Sequence, residues 1–205
     1  LYSTLDSIVQ EVPVQKAAYR LVQDKYIQSG DQVLDVGFGK GYGVRILAQS
    51  AKEVSGIEID RRAVSSSQSL VQKSSNIQEL RHYDGETIPY KDNTFDVVTC
   101  IDVIEHVPDY TNLIKEMIRV SKRIVFLSTP NRRPEYTKPD GSPKNRWHLR
   151  EWSFEELNTI LEGISGIRVN WTFLDGPWNG PFQPKHVVSE ETMTISPSIS
   201  VPNPT

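Results

Sequence analysis

Cysteine is nearly absent from this chain: Cys100 stands alone among 205 residues. One thiol excludes an internal disulfide framework and suits a reducing compartment, so a cytoplasmic location is expected. Long apolar runs are missing too, and none approaches the roughly 18–20 residues that a membrane span needs. No secretory signal is legible, although the chain opens on Leu1 rather than Met, and a leader ahead of Leu1 would escape this reading. Positive charge is not in excess. Lys and Arg number 23 against 26 Asp and Glu, a net charge of −3. That supplies no broad basic field, and nucleic acid is not an expected partner. Internal repeats are absent. The length fits one domain able to bury a single good core.

What is present alternates in period. Val14, Ala17, Ala18, Leu21, Val22 and Tyr26 recur at helical spacing behind Pro13, a residue suited to a first turn. Gln32 to Val36 reads as a strand and Tyr42 to Ala51 as a helix. Val54 to Ile59 is a second strand, and Asp60 is placed to cap a helix carrying Ala63, Val64, Leu70 and Val71. Ile77 to Tyr83 follows as a third strand. Phe95 to Ile101 is almost continuously apolar, as a strand buried on both faces must be. Leu113, Ile114, Met117 and Ile118 mark a helix, and Ile124 to Leu127 another buried strand. Ser153-Phe154-Glu155-Glu156 is a capping box, with Trp152 and Leu157 spaced as a hydrophobic staple. Strand and helix in alternation predict an α/β fold: a doubly wound, mostly parallel sheet with helices on both faces.

The densest local signal is Val33-Leu34-Asp35-Val36-Gly37-Phe38-Gly39-Lys40-Gly41-Tyr42-Gly43. A buried strand runs into a turn whose glycines permit positive φ and close backbone approach to a ligand. Asp35 gives that turn its character. A pyrophosphate there would set anion beside anion, whereas a cationic ligand would be attracted. Ligands of such sheets bind at the carboxyl ends of the strands, where strand order reverses. Asp35 ends the first strand, Glu58 the second, and Asp84 and Asp102 follow the third and fourth. Four carboxylates on one edge suit a ligand with a ribose diol for Glu58, an adenine amino group for Asp84 and positive charge near Asp35. S-adenosyl-L-methionine has all three.

The same residues resemble the class I S-adenosylmethionine-dependent methyltransferases, in particular the small-molecule group that includes quinone-biosynthesis enzymes. Residues 33–43 resemble that class's first motif, Asp-x-Gly-x-Gly-x-Gly. Gly56-Ile57-Glu58-Ile59-Asp60 is similar to the motif whose acid holds the ribose hydroxyls, with Glu for the commoner Asp. Asp84-Gly85-Glu86 and Ile88-Pro89-Tyr90 resemble the loop that contacts adenine. Phe95 to Val107 resembles the fourth-strand motif, whose backbone receives the methionine end of the cofactor. Thr129-Pro130-Asn131-Arg132 and His148-Leu149-Arg150-Glu151-Trp152 are similar to stretches of this group, with less specificity. Phe38 and Lys40 depart from it, since small residues are usual there; the Lys40 side chain is expected to face solvent.

The resemblance implies a seven-stranded Rossmann-like sheet with an antiparallel strand near the C-terminus, and methyltransferase activity. It implies cofactor contacts from Asp35, Gly37, Phe38, Gly39, Gly41, Glu58, Ile59, Asp84, Gly85, Glu86, Cys100, Ile101 and Asp102. The expected organisation is an N-terminal helical segment over 1–30, a cofactor-binding core over 31–131, an acceptor-site lid over 131–152 and a loose tail over 196–205. The acceptor is expected to be a small molecule, a hydroxyl first among the choices, with an apolar wall from Tyr136, Trp147, Trp152 and Trp178. Removing the acceptor's proton needs a base, and His106 and His148 are the catalytic candidates, with Glu105 behind them; His82 and His186 lack a context. No metal is expected. Asp102, Glu105 and His106 lie in sequence where ligands would be drawn, but neighbouring side chains tend to diverge and the spacing matches no strong pattern. Cys100 reads as apolar filling.

Two other classes fit parts of the pattern. A nicotinamide-dependent oxidoreductase would use Gly-x-Gly-x-x-Gly after an apolar strand end; Gly37, Gly39, Gly41 and Gly43 alternate instead, and Asp35 is misplaced for a dinucleotide. Glu58 suits either cofactor. A protein that binds adenosylmethionine without chemistry stays open as well.

Overall fold

The computed structural model describes residues 13–174 and 194–201. Its elements are α1 (Pro13–Lys25), β1 (Gln32–Val36), α2 (Tyr42–Leu47), β2 (Glu53–Glu58), α3 (Arg61–Lys73), β3 (Ile77–His82), β4 (Phe95–Ile101), α4 (Tyr110–Val120), β5 (Ser121–Pro130), α5 (Phe154–Glu162), β6 (Arg168–Leu174) and β7 (Thr194–Ser200). The strands form one sheet in the order β3-β2-β1-β4-β5-β7-β6. β1 to β5 pair in parallel, and β7 runs antiparallel to both β5 and β6. This is the expected mostly parallel, doubly wound sheet.

Side-chain alternation divides the core between the two faces. Leu34, Val98, Cys100, Val125 and Leu127 pack with Leu113, Met117, Leu157 and Leu161 of α4 and α5. Val33, Val54, Val97 and Phe126 pack with Val14, Tyr19, Val22, Val44 and Leu47 of α1 and α2. The central strands are thus apolar on both sides because both are covered. The caps follow the sequence as well. Asp60 accepts from Arg62 N at 2.8 Å, and Ser153 and Glu156 form the reciprocal capping box.

Strand order reverses between β1 and β4, which depart toward opposite edges. Asp35 and Thr99 are direct partners in that pair. The switch point therefore lies beside Asp35, where the glycine turn begins.

The C-terminal stretch departs from expectation. Residues 196–200, expected within a loose tail, belong to β7, which sits between β5 and β6. Ser196 and Ser198 are buried, and Ser198 Oγ accepts from Tyr26 OH at 3.0 Å. Small hydroxyl residues buried inside a sheet carry the composition of a loop. Pro197 strengthens that impression, having no N–H to donate; no β5 partner faces it in the ladder, although Trp171 pairs with it on the β6 side.

Candidate active site

The glycines after β1 have separate tasks. Gly37, Gly39 and Gly41 all take positive φ, at 75°, 53° and 78°. A Cβ on Gly37 would lie 2.5 Å from Val103 Cγ2, and one on Gly43 2.1 Å from the Tyr19 ring. Those two permit close packing of the loop against the segment after β4 and of α2 against α1. A Cβ on Gly39 would meet nothing nearer than the Gly37 carbonyl at 4.0 Å. Open space at a positive-φ glycine, at the carboxyl end of a central strand, is where a ligand approaches the backbone. Lys40 is exposed, as expected.

Glu58 closes this loop from the neighbouring strand. One carboxylate oxygen accepts from Gly39 N at 2.9 Å; the other accepts from Ile59 N and Asp60 N at 2.8 and 3.0 Å. The acid thus holds the turn in shape as well as standing at its edge. Ile59 is 58% exposed beside it, and a Cβ on Gly85 would touch Ile59 Cγ2 at 3.5 Å. Asp84 is exposed and caps its own turn, accepting from Glu86 N and Thr87 N at 2.8 and 3.0 Å. Gly39, Glu58, Ile59 and the Asp84–Glu86 turn therefore border one open edge.

Asp35 is differently placed from the expectation that it meets a ligand's cation directly. It has no exposed surface. Tyr19 OH donates to both of its oxygens at 3.1 and 3.2 Å, and Thr99 Oγ1 donates at 2.8 Å. Burial pushes its carboxyl up to about 7, against the lowering effect of those two donors. Its influence on a ligand is that of a charge one layer beneath the loop.

Three other expected contacts have buried side chains. The Phe38 side chain is buried and packs with the α1–α3 core, across Gly56, whose added Cβ would lie 2.7 Å from Phe38 Cδ1. Cys100 is buried on the α4–α5 face and Ile101 on the other. With these side chains buried in the core on either face of the sheet, all three can offer a ligand only backbone.

Past β4 the chain turns sharply. Asp102 takes φ of 52°, a strained conformation for a residue with a Cβ and one that Asp tolerates better than most. Asp102 N donates to the Ser128 carbonyl at 3.0 Å. Its carboxylate accepts from Ser128 Oγ at 2.6 Å and from Gln15 Nε2 at 3.0 Å, while Tyr42 OH donates to Gln15 Oε1. α1 is thereby tied across the loop and the end of β4. Nothing in the sequence singled out Gln15, Tyr19 or Tyr42 for this role.

The turn at Asp102 leads into one turn of 3-10 helix, Ile104–His106. Glu105 is fully buried; Thr129 Oγ1 donates to its Oε2 at 3.0 Å, and Oε1 has no partner. Burial first, and Asp102 next, hold its carboxyl well above the ordinary range. His106 Nδ1 lies 2.8 Å from the Trp147 carbonyl. A carbonyl only accepts, so Nδ1 carries the proton and Nε2 the lone pair. Burial keeps the His106 imidazole below its usual value, hence neutral at pH 7.

His148 arrives from 42 residues further on, with its ring centroid 5.0 Å from that of His106. Its Nδ1 faces Glu151 Oε1 at 2.6 Å, and its Nε2 faces Asn145 Nδ2 at 2.8 Å. Leu149 N donates to the Glu105 carbonyl at 2.8 Å, fastening this segment over the 3-10 turn. Both catalytic candidates thus converge beside Asp102. Glu105 and His106 do not diverge as expected of neighbours: Glu105 Oε1 and His106 Nε2 are 3.9 Å apart. Glu151 and Asn145 were missed, though Glu151 lies three residues past His148 in the sequence.

Of the expected aromatic wall, Tyr136 and Trp147 are exposed. Trp152 is buried against the Tyr110 ring at 4.9 Å and belongs to the core, as the partner of an N-cap staple should. Trp178 and His186 lie outside the described residues. Cys100 is buried and free, as filling would be. No described helix is long and apolar enough to cross a membrane.

Comparison with known proteins agrees with this geometry. Residues 34–127 match a family model described as a methyltransferase domain. A probable S-adenosylmethionine-dependent methyltransferase of Mycolicibacterium smegmatis is 31% identical over 164 residues, 79% of this chain and 59% of that protein. A ubiquinone biosynthesis O-methyltransferase of Pseudomonas entomophila is 35% identical over 118 residues, 56% of this chain and 50% of that protein. Among solved structures, magnesium protoporphyrin IX methyltransferase from Synechocystis with bound SAH superposes with a TM-score of 0.67 at 19% identity, covering 98% of this chain and 90% of that one. Motifs, fold and relatives together support a class I S-adenosylmethionine-dependent methyltransferase, with S-adenosyl-L-methionine as the cofactor. The chain spans about half the length of the curated relatives it matches.

Proposed function

We propose that this chain transfers the methyl group of S-adenosylmethionine, in line, to a hydroxyl of a small-molecule acceptor. The observation that carries the reading is the pair of imidazoles at the end of β4. Each has Nδ1 tied to an acceptor, the Trp147 carbonyl for His106 and Glu151 for His148. That fixes the tautomer and leaves an Nε2 lone pair on each ring. A sulfonium is already activated, so the protein's main contribution is alignment of nucleophile, methyl carbon and sulfur. A hydroxyl also has to lose its proton, and His106 or His148 assists that loss. In the balanced step the O–CH3 bond forms as the S–CH3 bond breaks, the bonding pair stays on sulfur, and the acceptor's proton goes to the base.

On this reading Glu58 holds the ribose, the Asp84–Glu86 turn the adenine, and the backbone of residues 100–102 the methionine end. Residues 131–152 form the acceptor side and act as a lid. Exposed Tyr136 and Trp147 within that stretch suit a flat or apolar acceptor, and a ubiquinone biosynthesis O-methyltransferase among the relatives fits an oxygen target. The test incubates the protein and methyl-labelled S-adenosylmethionine with pooled small molecules, protein and RNA. Label in a small hydroxyl compound supports the proposal. Label only in protein or RNA contradicts the acceptor class, and cofactor binding without transfer to any pool contradicts the activity.

A further inference from the structure

One polar atom at this site lacks a partner. Glu105 Oε1 is buried, unbonded and directed toward His106 Nε2 at 3.9 Å. A buried carboxyl oxygen without a hydrogen-bond partner costs free energy unless a ligand completes it. A ring nitrogen of His106 and one of His148 lie in the same cluster. One ligand atom each from Glu105, His106 and His148 falls within 4.8 Å of the others, a spread that one ion can bridge. The imidazoles also have the outer partners characteristic of metal-bound histidine, a backbone carbonyl on one Nδ1 and a carboxylate on the other.

From this juxtaposition we infer that Glu105, His106 and His148 bind a divalent cation of the first transition row. One carboxylate and two imidazoles are a mixed oxygen–nitrogen set, better suited to Mn2+ or Zn2+ than to Mg2+, which prefers oxygen alone. The cation displaces the Asn145 amide from His148 Nε2. Three protein ligands leave positions open for water or the acceptor.

The consequence for chemistry rests on the methyl-transfer reading above. An acceptor oxygen bound to the cation loses its proton more readily, because the ion stabilises the alkoxide. With the cation bound the imidazoles act as ligands in place of the base role given above, so the proton leaves to solvent water, and the oxygen is held in line with the methyl carbon.

Mn2+ is the probe. After exposure to a chelator and its removal, the protein is titrated with Mn2+ and followed by electron paramagnetic resonance. Cofactor affinity is measured separately by calorimetry. One Mn2+ per chain is expected in the wild type, with binding at least tenfold weaker in Glu105→Gln and in His148→Ala and cofactor affinity within twofold in both. Mg2+ should compete only at concentrations at least tenfold higher. Should either variant fail to fold, Mn2+ broadening of the His106 and His148 imidazole resonances in the wild type takes its place. Absence of stoichiometric binding, undiminished binding in the variants, or sharp imidazole resonances at saturation would overturn the site. Cofactor binding without Mn2+ binding refutes the metal and leaves the methyl-transfer reading standing; Mn2+ binding without cofactor binding does the reverse.

Discussion

On the glycine-loop side of Asp102 the chain presents backbone, and on the other side it presents side chains. The first region, from Asp35 to Glu86, makes its proposed ligand edge from Gly39, the Glu58 carboxylate and a self-capped turn at Asp84, all at strand ends within one βαβαβ succession. The second brings Glu105 and His106 against His148 and Glu151, across more than 40 residues of chain. An edge built mostly from backbone at strand ends depends on few side chains, Glu58 chief among them. A cluster of converging side chains is altered by a single substitution. A shared cofactor edge beside a variable acceptor side is the arrangement expected of a fold that carries many chemistries.

The sharpest way to break this comparison is one glycine against another. Gly39→Arg should weaken cofactor binding by about 100-fold or more, since the added side chain enters the space the ligand needs, while a side chain at this positive φ costs the fold only about 1–2 kcal/mol. Gly43→Ala should act the opposite way. Its methyl group would strike the Tyr19 ring, costing about 1–3 kcal/mol of stability by overpacking, with affinity nearly unchanged once folded. Calorimetry and denaturant unfolding on both variants read the two effects. Equal loss of affinity and stability in both would merge the two roles.

Glu58→Ala should fall between. Loss of two charge-assisted hydrogen bonds to the ribose predicts affinity lower by tenfold or more. The same change strands Gly39, Ile59 and Asp60 N–H groups, so unfolding should also be easier by about 1–3 kcal/mol. Unchanged affinity would remove Glu58 from the cofactor edge.

On the acceptor side, Glu151→Gln should lower the rate of methyl transfer about tenfold and leave cofactor affinity alone, because it disturbs only the tautomer and orientation of His148. A change in affinity with unchanged turnover would reverse the assignment of the two regions.

The smallest expected effect is on pH. Asp35 is raised to about 7 in the folded chain, so its carboxylate is disfavoured by folding. The associated stability is present at acid pH and lost as pH rises through about 7. A cationic ligand favours the carboxylate, so cofactor affinity should strengthen severalfold between pH 5 and 7. Asp35→Asn should flatten both trends, as paired titrations and unfolding curves would record.

The same division explains what was legible in the sequence. β1, the glycine turn, β2 and β4 could be read because local period and glycine spacing dictate them. The site residues on that edge are local for the same reason. His106 and His148 could be named, but their meeting could not, since it depends on a 3-10 turn after a positive-φ Asp and on a loop fastened by Leu149 N to the Glu105 carbonyl. Tyr19 stood outside the apolar spacing read for α1, yet it is a core residue whose hydroxyl also holds Asp35. β7 was hidden because buried serines and a proline have the composition of a turn.

The most direct measurement is a crystal structure with S-adenosylhomocysteine. The account predicts the ribose hydroxyls on Glu58, the backbone of Gly39 against the ligand, and the sulfur facing the space between His106 and His148. A ligand bound away from Gly39 and Glu58, or a sulfur turned from those histidines, would contradict it.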